Sequence, residues 1–294
     1  MKSFQAAAAK APRKNSGQVR GPGAHIVRAL VILLLSLMIL MYLSPFAWML
    51  VSSFKTNREI LLDPFALPDA LSFDNYITVW NIGMGRYFFN SIVVTAGTCL
   101  LTTFASSLAA FALSRYRFRG NHFWFMYLLC GMMLATQVSL ISNYQLLRML
   151  HLYDTLWALI LVHTAFRIPF TMFMLWSYFM TLSKDIEEAA CLEGCGSFMI
   201  FWRIILPVSR PIIATSILLT ARTAWNDFMF SLVFTSSSEL KTIPYGLQSL
   251  KTEFGIEYGR MMAGMTIATI PIIILFLCVQ KQFIRGMTVG AVKE

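Results

Sequence analysis

Six long apolar stretches dominate the pattern of this chain: Ile26 to Val51, Phe88 to Leu113, Phe123 to Leu147, Leu156 to Phe179, Ile212 to Phe234 and Met262 to Phe283. Each reaches the roughly 20 residues that an α-helix needs to cross a bilayer. The pattern therefore predicts an all-α membrane protein with six transmembrane helices. Residues 52–87 break the pattern with Asp63, Pro64, Pro68, Asp69 and Asp74, beside Tyr76 and Trp80. They are too polar to span and are expected to fold as a short cap against the membrane surface. Residues 236–260 carry Glu239, Glu253, Glu257 and Tyr258 and suit a solvated connector or a surface for a soluble partner. Residues 1–25, rich in Ala, Lys, Arg and Gly, lack apolar periodicity and are expected to be a disordered basic tail. The domain organisation predicted is that tail followed by one transmembrane domain over 26–294. No small-residue cleavage site follows the first stretch, so it is expected to stay in place as a span.

Composition agrees with the pattern. The chain is 57% hydrophobic and only 13% charged, with a mean hydropathy of +0.64, whereas soluble domains carry about 25% charged residues. Its net charge of +10 does not imply nucleic acid, because the basic residues follow the apolar stretches instead of gathering on one face. Lys2, Lys10, Arg13, Lys14, Arg20 and Arg28, then Arg115, Arg117 and Arg119, then Lys184, Arg203 and Arg210, then Lys281, Arg285 and Lys293 fall on one side of six spans. Only Lys55, Arg58, Arg86, Arg148, Lys241, Lys251 and Arg260 fall on the other. The positive-inside rule then places both termini in the cytoplasm. The five cysteines have no paired or metal-ligand spacing, and neither a metal site nor a disulfide framework is expected.

One polar segment is out of keeping with the rest. Ser183 is a candidate helix cap, Asp185, Glu187 and Glu188 would complement the dipole of a first turn, and Gly194 and Gly196 would end or bend the helix. An apolar piece from Phe198 to Ile205 follows, with Pro207 and Pro211 expected to break it before the fifth span. The composition describes a short acidic helix, a turn and a second short helix at the cytoplasmic surface, suited to docking another protein or simply to linking two spans.

The spacing in that segment resembles the signature loop of permeases in binding-protein-dependent ABC importers: Glu188-Ala189-Ala190, Gly194, Ile204 and Leu206-Pro207 stand at the family's intervals. Glu193 stands where the family usually has Asp, and Cys195 where it usually has Ala. Further similarity to the carbohydrate-type permeases lies in Asn90-Ser91, Ser114 to Gly120, Ile168-Pro169-Phe170, Trp225-Asn226-Asp227-Phe228, Met262-Ala263-Gly264 and a tail from Gln282 to Lys293 like that of the maltose-permease G-type subunits. The resemblance implies a type I ABC-importer permease fold in a bacterial or archaeal cell membrane. It implies a second homologous permease subunit, two ATPase subunits that hold ATP and magnesium, an extracellular or periplasmic solute-binding protein, and a sugar as substrate. The loop from 182 to 211 would be the coupling element, with Glu188, Ala189, Ala190, Glu193, Gly194, Leu206 and Pro207 at the ATPase. The tail from 285 to 294, with Gly286, Gly290 and Lys293, would reach toward the ATPase pair. Nothing matches the phosphate-binding Gly-x4-Gly-Lys-Ser/Thr pattern, so the chain itself is expected to hold no cofactor and to be non-catalytic.

Polar residues inside the spans complete the reading. A charge at mid-bilayer costs at least about 2.5 kcal/mol. Arg167, Arg222, Asn226 and Asp227 are thus expected either to pair with neighbouring helices or to line a pathway. Trp225 would offer a ring face to a sugar. Pro169 should bend the fourth span, and His163 suits an interior position better than a proton relay. A secondary transporter or channel without ATPases is the competing reading and would have to use these same few ionisable groups. A receptor or scaffold that docks a cytoplasmic partner without moving solute is the third.

Overall fold

The computed structural model describes the backbone of residues 22–252 and 255–291 and the side chains of 25–251 and 257–282. Of the tail expected over residues 1–25, residues 1–21 lie outside the described residues, as does Lys293, while 22–25 already belong to the first helix. The chain divides into two compact units, residues 1–48 and 49–294. The described part of the first is one apolar helix, the start of α1 (Pro22–Ser52). Pro22 suits its first position, where a missing N–H costs nothing.

The second unit holds the remaining elements. A cap is formed by α2 (Asn57–Leu62) and α3 (Asp74–Val79), which runs through a wide turn into α4 (Gly85–Arg115). Then follow α5 (Asn121–Cys130), α6 (Leu140–Met149) and α7 (Leu156–Phe179). The acidic segment gives α8 (Asp185–Leu192), α9 (Ser197–Ile200) and α10 (Leu206–Val208). Next come α11 (Arg210–Trp225), α12 (Met229–Phe234) and α13 (Ile243–Ser249). A two-residue ladder, β1 (Lys251–Thr252) against β2 (Gly255–Ile256), precedes α14 (Tyr258–Ala291).

Six unbroken spans do not form among the described residues. Four helical stretches are long and apolar enough to cross a membrane: His25–Ser52, Asp74–Arg115, Leu156–Phe179 and Tyr258–Gln282. The bent pair Ser197–Val208 and Arg210–Trp225, meeting at 78°, makes a fifth if counted together. That bend falls at Ser209, before Pro211; Pro207 sits inside the first arm at the start of α10. The third apolar stretch breaks between Cys130 and Leu140. Its chain presses against the fourth span at Gly131, where an added Cβ would lie 2.8 Å from Pro169 Cγ. Past Leu134 the Ser139 hydroxyl bonds the Thr136 carbonyl, a local bond that competes with helix. The fifth apolar stretch ends at Trp225, because the Asn226 side chain folds back onto the Arg222 carbonyl at 2.8 Å. It restarts only after Asp227 has accepted the Phe230 N–H at 2.9 Å.

The bundle is built on α4. Val94, Thr98, Thr102, Ser106 and Ala110 recur at every fourth position of that helix and are all buried. Every fourth residue shares one helix face. That face meets α7 and α11, which contribute buried Thr164, Thr171, Ser216 and Thr220. Lipid tails are as apolar as leucine, so helices in a bilayer associate through close packing of small side chains and interhelical hydrogen bonds. Both are present here. A Cβ added to Gly97 would stand 2.9 Å from Ile160 Cδ1. Ser106 donates to the Ile168 carbonyl of α7, and the Cys99 thiol to the Ile217 carbonyl of α11.

At one end of the bundle, Lys55 is 1% exposed and donates its ammonium to the carbonyls of Asp63 and Pro64. Asn75 meanwhile binds the carbonyls of Ser53 and Lys55. These bonds close the cap. The turn before α7 is held separately. Asp154 accepts the N–H groups of Ser236 and Ser237 at 2.8 and 2.9 Å and the Ser237 hydroxyl. The Ser237 hydroxyl above all, then the two N–H groups, outweigh partial burial and hold the Asp154 carboxyl below its usual range. A depressed carboxyl stabilises the fold above its unfolded pKa, near 3.9, and loses that contribution as pH falls through the folded value. Replacing Asp154 by Ala should cost about 1–2 kcal/mol at neutral pH, read as a lower thermal midpoint in detergent. The gap from the unsubstituted protein should narrow as the pH is taken below about 4.

Candidate functional site

The acidic segment turns one face inward and one outward. Ala190 is buried in a cluster with Phe111, Leu113, Leu175, Phe179 and Phe201. Three residues earlier on the same face, Glu187 lies 2.6 Å from Arg115 Nε at the end of α4, with side chains 15% and 5% exposed. The Arg115 N–H is not aligned on that oxygen, so the contact is ionic, and Arg115 Nη2 reaches the Leu182 carbonyl instead. The outward face carries Glu188 and Leu192, four residues apart, with Ala189 and Glu193 beside them. Leu192 is 91% exposed. Ala189 and Ala190 therefore have opposite surroundings, and only Ala189 is open to another molecule.

Backbone geometry ends α8 sharply. Gly194 has φ +84°, its N–H bonds the Cys191 carbonyl, and the Cys195 N–H bonds the Ala190 carbonyl, both at 3.0 Å. This pair of bonds is the Schellman termination, which needs a left-handed residue. Gly196, by contrast, is extended (φ −72°). At the start, the Ser183 hydroxyl accepts the Asp185 N–H at 3.2 Å. Leu206 is partly buried against the same cluster, and Pro207 occupies the first turn of α10.

The polar residues of the spans separate into two groups. Arg167 and Asp227 line one cavity of about 320 Å³ with His163, Thr136, Phe170 and Phe230. His163 Nε2 stands 3.7 Å from Asp227 Oδ2, and its ring packs on Phe230. The Arg167 guanidinium lies over Phe170 at 5.2 Å, and its buried Nε has no acceptor among the described residues. Trp225 and Asn226 line a different cavity, beside Met265 and Thr269. Trp225 is buried and donates to the Ala268 carbonyl of α14 at 3.0 Å. Arg222 is exposed in the last turn of α11. The expected set thus divides: Arg167 and Asp227 come together, while Arg222, Trp225 and Asn226 stand elsewhere. Gly286 and Gly290 lie within the continuous helix α14, which runs on to Ala291.

Residues 21–289 match the family model described as "binding-protein-dependent transport system inner membrane component". The chain belongs to this family. It is 47% identical over 249 residues, 85% of its own length and 83% of the other, to a probable ABC transporter permease protein, YurM, of Bacillus subtilis. It is 35% identical over 277 residues, covering 92% of this chain and 98% of the relative, to the arabinooligosaccharides transport system permease protein AraQ of Bacillus subtilis. Its fold matches a crystal structure of a bacterial ABC transporter involved in the import of the acidic polysaccharide alginate, with TM-score 0.78 and 22% identity over 90% of this chain and 98% of the other. The type I permease fold and a multi-pass place in the membrane follow.

Within the permease, Arg115 and Glu187 are a pairing that sequence reasoning missed. In the sequence Arg115 stands as a topological charge within the Ser114–Gly120 resemblance and Glu187 as a dipole partner. They are 72 positions apart by number, and no periodicity links them. Thr136 was missed too, because the break that exposes it interrupts an apolar run. Alanine at Gly194 should cost about 1 kcal/mol, since the left-handed conformation penalises any Cβ while nothing else lies within 4 Å. Alanine at Gly196, equally open, should be nearly neutral. Hydrogen exchange across residues 185–195 of the purified permease should quicken about fivefold in the first variant and stay unchanged in the second.

Proposed function

We propose that this chain is the permease subunit of an ATP-driven, binding-protein-dependent sugar importer, forming half of the pathway and taking its drive from cytoplasmic ATPase subunits through α8. The observation that carries the reading is the two-sided build of α8. Its inner face, Glu187 and Ala190, is locked to the end of α4 and the core beneath it, while its outer face presents Leu192, Glu188 and Glu193 to solvent. Burying a leucine is worth roughly 1.5–3 kcal/mol, which favours a partner over water for a side chain so placed. A basic cleft of an ATPase would receive the two glutamates. Movement of that partner would then pass through a rigid, Schellman-terminated helix into α4, the centre of the bundle.

Several features support the remaining parts. The excess of Lys and Arg on the side of α8 favours a cytoplasmic position for this face and for both termini. The C-terminal segment with Gly286, Gly290 and Lys293 is assigned to contact with the ATPase pair, which holds ATP and magnesium. The relative named for arabinooligosaccharides favours a carbohydrate as cargo. The pathway is completed by a second homologous permease, and a solute-binding protein delivers the sugar to the opposite face.

Leu192→Asp and Glu188→Lys test this directly. Both variants should insert in the membrane at normal levels. Association with the ATPase subunits should weaken about 10–100-fold, the equivalent of losing one buried leucine or reversing one charge contact. ATP hydrolysis stimulated by the loaded binding protein should fall in parallel. Normal co-purification and normal stimulated hydrolysis in both variants would refute coupling through α8.

A further inference from the structure

The cavity at Arg167 lies where two interrupted helices meet. One wall is the broken segment around Gly131, Leu134 and Thr136; the other is α7 and the gap between α11 and α12 that holds Asp227. Non-helical backbone at membrane depth is tolerated only where protein buries it or where it lines a polar cavity. Two breaks opening on one space are the arrangement expected of a binding site.

The chemistry of the walls selects a ligand class. Arg167 offers guanidinium donors, and its Nε lacks an acceptor. Asp227 offers a carboxylate whose Oδ2 accepts the Phe230 N–H and faces His163, and it is not closed by a cation of the chain at contact distance among the described residues. The two charges are not in ion-pair contact with each other. A ligand that supplies both donors and acceptors therefore satisfies them, and vicinal hydroxyl groups do so. An anion would meet the Asp227 carboxylate in a setting with little water, where repulsion is strong. Phe170 and Phe230 add apolar faces suited to the C–H side of a sugar ring. A volume of about 320 Å³ is at the lower end for small-molecule sites and suits one sugar unit.

We propose that this cavity is a binding site for a single neutral sugar unit of the translocated solute, with Arg167 and Asp227 holding its hydroxyl groups. The proposal rests on the importer reading above and names the class of cargo the permease itself contacts. The site is part of this chain and not of its partner permease.

The test uses the chain assembled with its partner subunits in lipid vesicles, with the five cysteines replaced by serine and Thr136→Cys as a reporter. The rate of modification by a small methanethiosulfonate is measured without sugar and with arabinotriose, maltotriose, diacetylchitobiose or trigalacturonate. ATP-driven uptake of each sugar is measured in the same vesicles. The neutral sugar that is taken up should slow modification about tenfold when present at roughly ten times its Kd, and trigalacturonate should not. Arg167→Gln and Asp227→Asn should each abolish this protection. Arg167→Lys should keep part of it, because an ammonium retains the charge without the planar fork. Co-elution with the partner subunits and an unchanged modification rate without sugar show that a variant has folded. Uptake of a neutral sugar with no protection at Thr136→Cys overturns the site and leaves the importer reading standing. Equal protection by trigalacturonate overturns the neutral class. Absence of ATP-driven uptake of every sugar overturns the importer reading and the proposal with it.

Discussion

Close approach along one face of α4 is the constraint on which the rest of the molecule depends. In a bilayer no water is released when helices meet, so leucine against leucine gains little over leucine against lipid. The recurrence of Val94, Thr98, Thr102, Ser106 and Ala110 at every fourth position supplies what the hydrophobic effect cannot: small side chains that let α7 and α11 come near. Two of these hydroxyls, on Thr98 and Thr102, have no hydrogen-bond partner among the described residues. Their role is size more than bonding, with Ser106 to the Ile168 carbonyl as one exception. Because three helices share this seam, a displacement of α4 must move α7 and α11 as well.

That rigidity gives the Arg115–Glu187 contact its consequence. Removing water from two charges is costly, and a buried pair adds little net stability over apolar residues, but losing one partner costs about 3–5 kcal/mol. Such a contact fixes position more than it stabilises. Here it fixes α8 to the last turn of α4, while Ala190 inserts into the cluster formed by Phe111, Leu175, Phe179 and Phe201. With one face so occupied, the exposure of Leu192 follows from geometry: in a helix of 3.6 residues per turn, positions 188 and 192 cannot share the face of 187 and 190.

Much of this was legible in the sequence, and what was not has a physical reason. The spacing from Glu188 to Pro207 identified the acidic segment, because glycine at position 194 answers a backbone requirement, φ +84°, that the residue type itself declares. Helix type and the apolar content of the spans were equally plain. Continuity was not. Phe123 to Leu147 and Ile212 to Phe234 read as spans because hydropathy counts side chains, whereas the breaks come from backbone competition: Ser139 to the Thr136 carbonyl, Asn226 to the Arg222 carbonyl, Asp227 to the Phe230 N–H. Those bonds are local, and a polar pair as short as Thr136-Gln137 does not outweigh the apolar residues around it in any window as long as a span. Asp227 parts from Arg222, Trp225 and Asn226 for the same cause. The helix ends between them, so Trp225 bonds the Ala268 carbonyl beside one cavity while Asp227 lines another.

The two breaks also explain how a charged pair of residues can be kept apart inside an apolar bundle. Had α11 continued through Asp227, the carboxylate would have needed a cation at contact distance or a proton to be tolerated at that depth. The restart at Met229 gives Asp227 a backbone N–H instead, and packing on Phe170 shields Arg167 in part. Neither group is then forced onto the other. An ion pair closed on itself would have filled the space with its own hydrogen bonds and left nothing to recognise. Separate placement leaves a donor on α7 and an acceptor in the gap after α11, both on helices that pack on the α4 seam. Because both helices rest on that seam, a displacement of α4 would alter the distance between the two groups.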